Sequence, residues 1–266
     1  MLTGSKNALK GVGFFLGALL LAWLGFAGAV LAMAAALALV WVGSLVFLQA
    51  DLGRAKAKPK FRELLSKSPA INRLSAARLF LFGARDVWFV VALPVFLAEV
   101  LGWPHARVGG FMALWIIGYG GVQALAPAIT GLRRGPVPDG RAAFGWALPL
   151  AALAAGMAAA LWAGWPARTV LVAGLLAFGV LFALNSALHS YLIVSYARED
   201  GVSLDVGFYY MANAGGRLLG TVLSGAVYQA WGLAACLAVS AAFVLVAAAV
   251  SLGLPRHDRA APTPVN

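Results

Sequence analysis

The sequence predicts an all-α polytopic membrane protein, and three observations lead to this fold class. Hydrophobic residues make up 62% of the 266 positions and charged residues 11%, against about 45–50% and about 25% in soluble domains. The mean hydropathy is +0.89. The apolar runs are long and unbroken, unlike the alternating segments of about 10 residues that build a transmembrane β-barrel. This composition excludes a soluble enzyme and a disordered protein, and the single cysteine, Cys236, excludes a disulfide scaffold.

Eight apolar segments follow one another along the chain, each near or above the roughly 20 residues that span a bilayer. Their bounds are 8–26, 28–48, 74–101, 107–131, 143–164, 168–196, 206–230 and 232–253. The first two are nearly continuous, and we expect a turn around Gly25 to Gly28. The first is not a cleavable signal peptide, because a second apolar segment follows it without a polar cleavage region. We therefore expect about eight transmembrane helices.

The positions of the basic residues predict which side of the membrane each loop faces. With the N-terminus placed inside, the outer side holds only Arg107 and Arg168, while Arg85 and Arg217 remain within the membrane. The other sixteen fall on the inner side: Lys6, Lys10, Arg54, Lys56, Lys58, Lys60, Arg62, Lys67, Arg73, Arg78, Arg133, Arg134, Arg141, Arg198, Arg256 and Arg259. This bias predicts that both termini are cytoplasmic.

The segment 49–73 is the one long, basic and polar connection, and it divides the chain unevenly. It separates two helices in 1–48 from six helices in 74–254, and a cytoplasmic tail, 255–266, follows. Transporters of the major facilitator superfamily (MFS) have two six-helix halves, which a basic cytoplasmic loop joins. This chain resembles such a protein without its first four helices. The stretch GLRRGPVPDGR, 131–141, resembles the short basic loop that the family places between the second and third helices of each half.

Ionisable side chains inside a membrane span are rare, because a central Arg or Asp costs about 2.5–3.5 kcal/mol on insertion scales. The third segment carries Arg85 and Asp86, and the seventh carries Arg217. Both arginines lie about 16 Å from the inner ends of their segments at 1.5 Å per residue, so we expect an anion site at one depth. The alternative is that Asp86 pairs with an arginine and only ties helices together. Since adjacent residues point about 100° apart on a helix, we expect Arg85 and Asp86 to have different partners.

A polar stripe runs along the seventh segment. Tyr210, Asn213 and Arg217 are spaced three and four apart, so they share one helix face. Such a stripe in an apolar helix is expected to face the protein interior or a water-filled path. Tyr210, its neighbour Tyr209 and Asn213 are candidates for substrate hydrogen bonds, and Arg217 is a candidate for holding substrate charge. Tyrosine also anchors helices at membrane interfaces, which is the alternative for the two tyrosines.

Two other segments carry polar candidates. Asn185 and His189 are one turn apart in the sixth segment, and Gln123 lies in the fourth. Asn185 and Gln123 are candidate substrate contacts. Histidine changes charge near neutral pH, so His189 and Asp86 are candidates for carrying a proton in an antiport cycle. For Gln123 and His189 the alternative is a helix-to-helix hydrogen bond.

Glycine spacing predicts close helix packing at two places. Gly13 and Gly17, and likewise Gly216 and Gly220, have the GxxxG spacing that lets helix backbones approach each other in lipid.

The sequence contains no motif that indicates an enzyme, a cofactor or a metal site. It has no P-loop, no HExxH pair and no nucleophile elbow. The net charge of +11 reflects the basic loops of a membrane protein, so we expect a lipid bilayer and not nucleic acid as the partner. Transport would then draw its energy from an ion gradient and not from ATP.

Three stretches carry a more specific resemblance: SAARLFLFGARDVWFVVALPVFL at 75–97, LNSALHSYLIVSY at 184–196 and DVGFYYMANAGGRLLGTVLSG at 205–225. Together with the opening KGVGFFLGALLLAWLGF, they resemble the organoarsenical efflux permeases of the ArsJ type, which are MFS transporters of bacterial arsenic-resistance operons. The resemblance runs from Lys6 to about Gly253.

The resemblance implies a multi-pass protein of the bacterial inner membrane that exports 1-arseno-3-phosphoglycerate. It also implies a functional link to a glyceraldehyde-3-phosphate dehydrogenase, which makes that ester from arsenate. Such transporters have about twelve helices, and the substrate path lies between their halves. Two alternatives therefore stay open: an MFS exporter of another organic anion or a drug, and a shortened fragment that does not transport.

Overall fold

The computed structural model describes residues 2–47, 68–130, 138–197 and 202–256, and they form a bundle of helices. The helices are α1 (Leu2–Phe47), α2 (Pro69–Phe89), α3 (Ala92–Val95), a π-helical turn (Phe96–Val100), α4 (His105–Ile129), α5 (Gly140–Trp162), α6 (Ala167–Tyr196) and α7 (Val202–Leu252). Most of the predicted linker (49–67), most of the predicted basic loop (131–137) and the end of the tail (257–266) lie outside the described residues.

Within these described ranges, six helices are long and apolar enough to cross a membrane. The chain therefore has the helices of a multi-pass membrane protein, but the predicted number of eight was wrong. The difference arises at the start and at the end of the chain, where two predicted segments follow each other without a loop in one helical element that bends at a glycine. In each case the only break is one glycine with a positive φ, Gly25 at 66° and Gly232 at 77°. Glycine adopts this conformation without strain, so no polar loop is needed between the two parts.

The first arm of α7 (residues 202–231) runs in the same direction as α2. Gly216 lies directly against the backbone carbonyl of Leu79, and Gly220 lies against the carbonyl of Gly83. Neither glycine could carry a Cβ without a clash, so the two backbones approach as closely as the GxxxG spacing predicts.

The second arm of α7 (residues 233–252) runs in the opposite direction along α2. Gly83 also contacts the ring of Phe243, and near the start of α2 Arg73 donates a hydrogen bond of 2.5 Å to the carbonyl of Gly253. Because residue numbers now fall along α7 as they rise along α2, the chain must reverse its direction at Gly232. The two arms thus form a helical hairpin around α2.

Helix α2 begins at Pro69, five residues before the predicted start of its segment at residue 74. Ser68 caps the helix by accepting a hydrogen bond of 3.5 Å from the Ile71 N–H, and Pro69 occupies the first turn. A Ser–Pro pair is a typical start signal because proline there needs no hydrogen-bond acceptor. Because α2 begins earlier, the polar residues that follow position 74 lie further from the end of the helix than the predicted segment implies.

Helices α4, α5 and α6 alternate in direction and complete the core. Trp115 of α4 donates to the Leu175 carbonyl of α6 at 2.6 Å. Further along both helices Gln123 contacts Ser186, so α4 and α6 run in the same direction. Helix α5 runs against α6. The core between these helices and α2 is rich in aromatic rings, which pack edge to face around Trp88.

Helix α1 contacts the rest of the bundle mainly through its first part. Ala18 packs against Gly109 of α4, and Phe14 packs edge to face on Phe89 at 6.1 Å. A Cβ added at Gly13 or Gly17 would have no described atom within 4 Å, so the close packing predicted for this pair was wrong. Most side chains after Gly25 are exposed apolar groups, as expected for a surface that faces lipid or other helices.

Candidate functional site

Asp86 is the centre of an ion-pair cluster that joins α2 to the first arm of α7. Its side chain is fully buried. One carboxylate oxygen, Oδ1, accepts a hydrogen bond of 2.6 Å from Arg85 Nε, and the other, Oδ2, accepts one of 2.9 Å from Arg217 Nε. Arg85 and Arg217 therefore lie at one depth, as the sequence predicts. This geometry also shows the helix tie that the sequence left open as an alternative.

The expectation that Arg85 and Asp86 have different partners was wrong. The long Arg85 side chain folds back onto its neighbour, and its second guanidinium nitrogen lies 2.5 Å from Asp86 Oδ1. The 100° angle between adjacent Cβ directions constrains short side chains, whereas the flexible arginine stem reaches around the helix.

The two arginines on Asp86 differ in how much they are exposed. Side-chain exposure is 13% for Arg85 and 46% for Arg217. Arg85 is further enclosed by three aromatic rings, with its Cζ 5.2 to 5.9 Å from the ring centroids of Phe82, Phe89 and Phe182. Arg217 is thus the more exposed of the two arginines on Asp86.

A third arginine, Arg78, belongs to the same region although the sequence analysis placed it with the basic residues of the inner side. It is only 5% exposed. Its Nε donates to Asn213 Oδ1 at 3.2 Å, and a terminal nitrogen donates to the carbonyl and the hydroxyl of Ser186 at 3.1 and 3.3 Å. Among the residues that the structure describes, no carboxylate forms an ion pair with Arg78.

The earlier start of α2 explains why Arg78 was missed. Counted from Pro69, Arg78 lies nine residues inside the helix, about 13 Å from its end, whereas the predicted segment began at residue 74. The Ser68–Pro69 start signal was the observation that could have found it. Arg78 also precedes Arg85 by two helical turns, which puts both on one face.

Ser186 connects Arg78 on α2 to α4. Its hydroxyl accepts from Arg78 and also from Gln123 Nε2, at 3.2 Å. Asn213, Arg78, Ser186 and Gln123 therefore form a continuous polar network across α7, α2, α6 and α4. Of the predicted substrate contacts, Asn213 and Gln123 are both brought to this network.

Phe82 links the network to the ion-pair cluster. The Cζ atom of Arg78 lies 3.8 Å from the centroid of the Phe82 ring, and that of Arg85 lies 5.2 Å from it. Both distances are within the range of cation–π attraction. The aromatic ring therefore stabilises the positive charges of two residues whose backbones lie about 10 Å apart along α2.

The two predicted tyrosines have different environments. Tyr209 is buried, and the Cζ atom of Arg78 lies 5.0 Å from its ring centroid. Tyr210 is 55% exposed, and its ring contacts that of Tyr209 at 5.6 Å. Tyr209 is thus part of the wall around Arg78, whereas Tyr210 lies at the exposed edge of the site.

Asn185 lies outside the arginine region. Its side-chain nitrogen donates to the carbonyls of Trp146 and Leu181, at 2.8 and 2.9 Å. This arrangement joins α6 to α5, so Asn185 faces away from the polar network that its neighbour Ser186 completes.

His189 is buried on α6, one turn beyond Asn185. Its Nδ1 atom has no hydrogen-bond partner within the described parts of the chain. It makes no hydrogen bond to Asp86, whose two oxygens are both held by arginines. The two candidate proton carriers are therefore in separate environments.

The whole arrangement carries more positive than negative charge. Arg85 and Arg217 share a single carboxylate, that of Asp86, whereas Arg78 donates to the neutral groups of Asn213 and Ser186. Guanidinium groups bind phosphate, arsenate and carboxylate oxygens through paired N–H donors. The site therefore offers guanidinium donors in excess of the carboxylate that it contains. Two cavities, of about 700 and 620 Å³, lie elsewhere, beside α1 and between the starts of α4 and α6.

Comparison with known proteins places the chain in no family. No family model matches the sequence, and no curated protein matches it.

Proposed function

We propose that this chain is part of an MFS-type efflux permease that exports a small organic anion across the bacterial inner membrane, with both termini cytoplasmic. From the sequence resemblance, the proposed substrate is an organoarsenical such as 1-arseno-3-phosphoglycerate, so that export confers arsenate resistance. The single observation that supports transport of an anion is the excess of positive charge inside the helix bundle: Arg85 and Arg217 share the Asp86 carboxylate, and the buried Arg78 is bonded to neutral groups.

The buried state of Arg78 is the strongest part of this argument. A charged group removed from water without an opposite charge costs several kcal/mol. A helix tie needs no such charge, because Gln123 and Ser186 already join α4 to α6. Ionisable groups that persist inside a membrane protein mark substrate or ion pathways. An anionic substrate would supply the missing negative charge, which a hydrophobic drug would not.

The exposure of the three arginines suggests an order of contact. Arg217 is 46% exposed and meets the anion first, while Arg78 is 5% exposed and holds the innermost part. The anion competes with Asp86 for Arg217, because both are oxygen acceptors for the same guanidinium. When the anion binds Arg217, Asp86 still has Arg85 as its partner.

This competition offers a means of coupling transport to protons. A proton on Asp86 removes the carboxylate charge that holds Arg217 and Arg85, so the protonation state of Asp86 decides how tightly Arg217 is held. His189 is the weaker of the two candidates for a proton, because burial disfavours its charged form. The site residues of this proposal are Arg78, Arg85, Asp86, Gln123, His189, Tyr209, Tyr210, Asn213 and Arg217.

Arsenate tolerance of an arsenic-sensitive bacterium tests the proposal. The chain is expressed with an arsenic-operon glyceraldehyde-3-phosphate dehydrogenase, beside a version extended to twelve helices. We expect the version that protects to lose its protection with Arg217→Ala or Arg78→Lys. The lysine keeps the charge but loses the forked donors that reach both Asn213 and Ser186.

Arg256→Gln is the matched control, because this arginine is exposed at the end of the described chain. Membrane protein is quantified for every variant. Protection that survives Arg217→Ala at normal protein levels would overturn the assigned role. If neither the chain nor the extended version protects despite membrane expression, the arsenical substrate is wrong.

Another organic anion is the second candidate substrate. The observation that favours keeping it is that guanidinium groups recognise oxyanions in general, and no group in the site distinguishes arsenate from phosphate or carboxylate. Uptake assays in inverted vesicles with labelled phosphorylated and carboxylated compounds would separate the two.

A further inference from the structure

The cavity of about 620 Å³ lies where α4 and α6 begin, at the opposite end of the bundle from the start of α2. It is lined by Arg107 and Arg168 together with apolar side chains, among them Trp103, Phe111, Leu114 and Val172. No acidic residue is among those that line it. The two arginines are the same pair that the sequence places on the outer side, apart from all other basic loops.

Arg107 is held in place by an aromatic ring. Its Cζ atom lies 4.2 Å from the centroid of Trp103, which is 8% exposed. Trp103 in turn packs edge to face on Phe111 at 5.7 Å. Stacking of this kind orients the guanidinium while leaving its N–H donors free to bind a ligand.

Both arginines lie in the first turn of a helix, where a basic residue is unfavourable. The positive end of the helix dipole lies there, and acidic groups are the ones that stabilise it. Helices α4 and α6 run in the same direction, so their positive ends lie together, and neither has a side-chain cap. By contrast, α5 begins with Asp139, whose carboxylate accepts from the Arg141 N–H at 2.9 Å. An anion between Arg107 and Arg168 would place a negative charge at the starts of α4 and α6, as the Asp139 carboxylate does at the start of α5.

The rest of the cavity is apolar and continues along the helices. Leu114 lies two turns beyond Arg107, and Val172 lies one turn beyond Arg168. Leu114 is 71% exposed. Trp162, the last residue of α5, and Trp165, in the turn before α6, are each 64% exposed. Exposed tryptophans mark the membrane–water interface, so the arginines lie at the level of lipid headgroups and the apolar wall faces acyl chains.

We propose that this cavity binds an anionic phospholipid. The headgroup phosphate lies between Arg107 and Arg168, and one acyl chain runs along Leu114 and Val172. A free phosphate ion would use the arginines alone and leave the apolar wall without a partner. The inference is independent of the substrate assigned to the arginines on α2 and α7.

Native mass spectrometry of the full chain in detergent tests the proposal, with phosphatidylglycerol and phosphatidylcholine as the two probes. We expect the chain to retain phosphatidylglycerol in preference to phosphatidylcholine. Arg107→Gln and Arg168→Gln should each lower the apparent affinity for phosphatidylglycerol roughly fivefold, the effect of one basic residue near a charged lipid. Both residues are exposed at the surface, so the variants are expected to fold, which circular dichroism checks.

Arg141→Gln is the matched control, because Arg141, like Arg168, is the second residue of a helix and is exposed, but lines neither of the two cavities. An equal loss with Arg141→Gln, or equal retention of both lipids, would overturn the proposal. Displacement of the lipid by an excess of inorganic phosphate at constant ionic strength would overturn the assignment of a phospholipid. It would show that the cavity binds a free phosphate ion.

Discussion

The Asp86 carboxylate and the Arg217 guanidinium lie 2.9 Å apart although 131 residues separate them in the chain. Their contact joins α2 to the first arm of α7 at the place where Gly216 and Gly220 allow the two backbones to approach closely. The ion pair and the glycine contacts depend on each other, because arginine and aspartate meet only if the helices are in close contact. The candidate anion site is therefore part of the packing of α2 on α7.

Removing the Asp86 carboxylate should destabilise the protein more than removing the Arg217 charge. In Asp86→Asn, Arg85 and Arg217 both lose their acidic partner in a buried place, whereas in Arg217→Gln Asp86 still has Arg85. We expect the double variant to lose less stability than the sum of the two single variants, with a coupling of about 0.5–1 kcal/mol because Arg217 is 46% exposed. Unfolding by sodium dodecyl sulfate in mixed micelles measures the three free energies. Strictly additive losses would contradict the ion pair.

Gly216→Ala should destabilise the packing of α2 on α7, while Gly215→Ala should not. A Cβ at Gly216 would overlap the carbonyl of Leu79, whereas a Cβ at Gly215 meets no described atom within 4 Å. Backbone atoms cannot move aside as a flexible side chain can. The midpoint of thermal unfolding in detergent measures the difference. Equal midpoints for the two variants would show that the two helices do not pack backbone to backbone at Gly216.

Gly232→Ala should weaken the hairpin of α7. Gly232 has φ 77° and ψ −175°, a conformation that is open almost only to glycine, and its adoption by alanine costs about 1–3 kcal/mol. Gly225→Ala is the control, because Gly225 lies inside the first arm and a Cβ there meets no described atom within 4 Å. The same unfolding titration compares them. A Gly232→Ala variant as stable as the parent would mean that the chain does not turn at this glycine.

Cysteine labelling should show the orientation that the basic residues predict. The native Cys236 is fully buried, so we expect no reaction with a maleimide in the folded protein. In intact cells, a membrane-impermeant maleimide should label Ala163→Cys, in the turn between α5 and α6. It should label Arg141→Cys, at the start of α5, only after the cells are permeabilised. The reverse order of labelling would show that the orientation in the membrane is opposite to the predicted one.

Much of the candidate site could be predicted from charge and apolarity. Arg85, Asp86 and Arg217 stand out because each is an ionisable residue in an apolar run. Arg78 does not stand out, because it lies near the end of the predicted segment. Whether it is an interfacial residue or a buried one depends on where α2 begins and on its contacts with Ser186 and Asn213.

The sequence also does not show how far a side chain reaches or which neighbouring helix each face of a helix contacts. Asn185 and Ser186 are adjacent, yet one bonds to α5 and the other completes the network with Arg78 and Gln123. Likewise, GxxxG spacing occurs twice, but only Gly216 and Gly220 meet another backbone. Spacing along one helix says which residues share a face, and not which neighbour that face will meet.

The sequence by itself determined the all-α membrane class and the approximate positions of the apolar segments, because these follow from local composition and the cost of polar groups in lipid. The tertiary structure alone decided the number of continuous helices, since Gly25 and Gly232 interrupt two of them without a loop. It also decided the partners of Asp86 and Arg78. Apart from Arg85, those partners are more than 100 positions away in the chain, and only the packing of helices against one another brings them together.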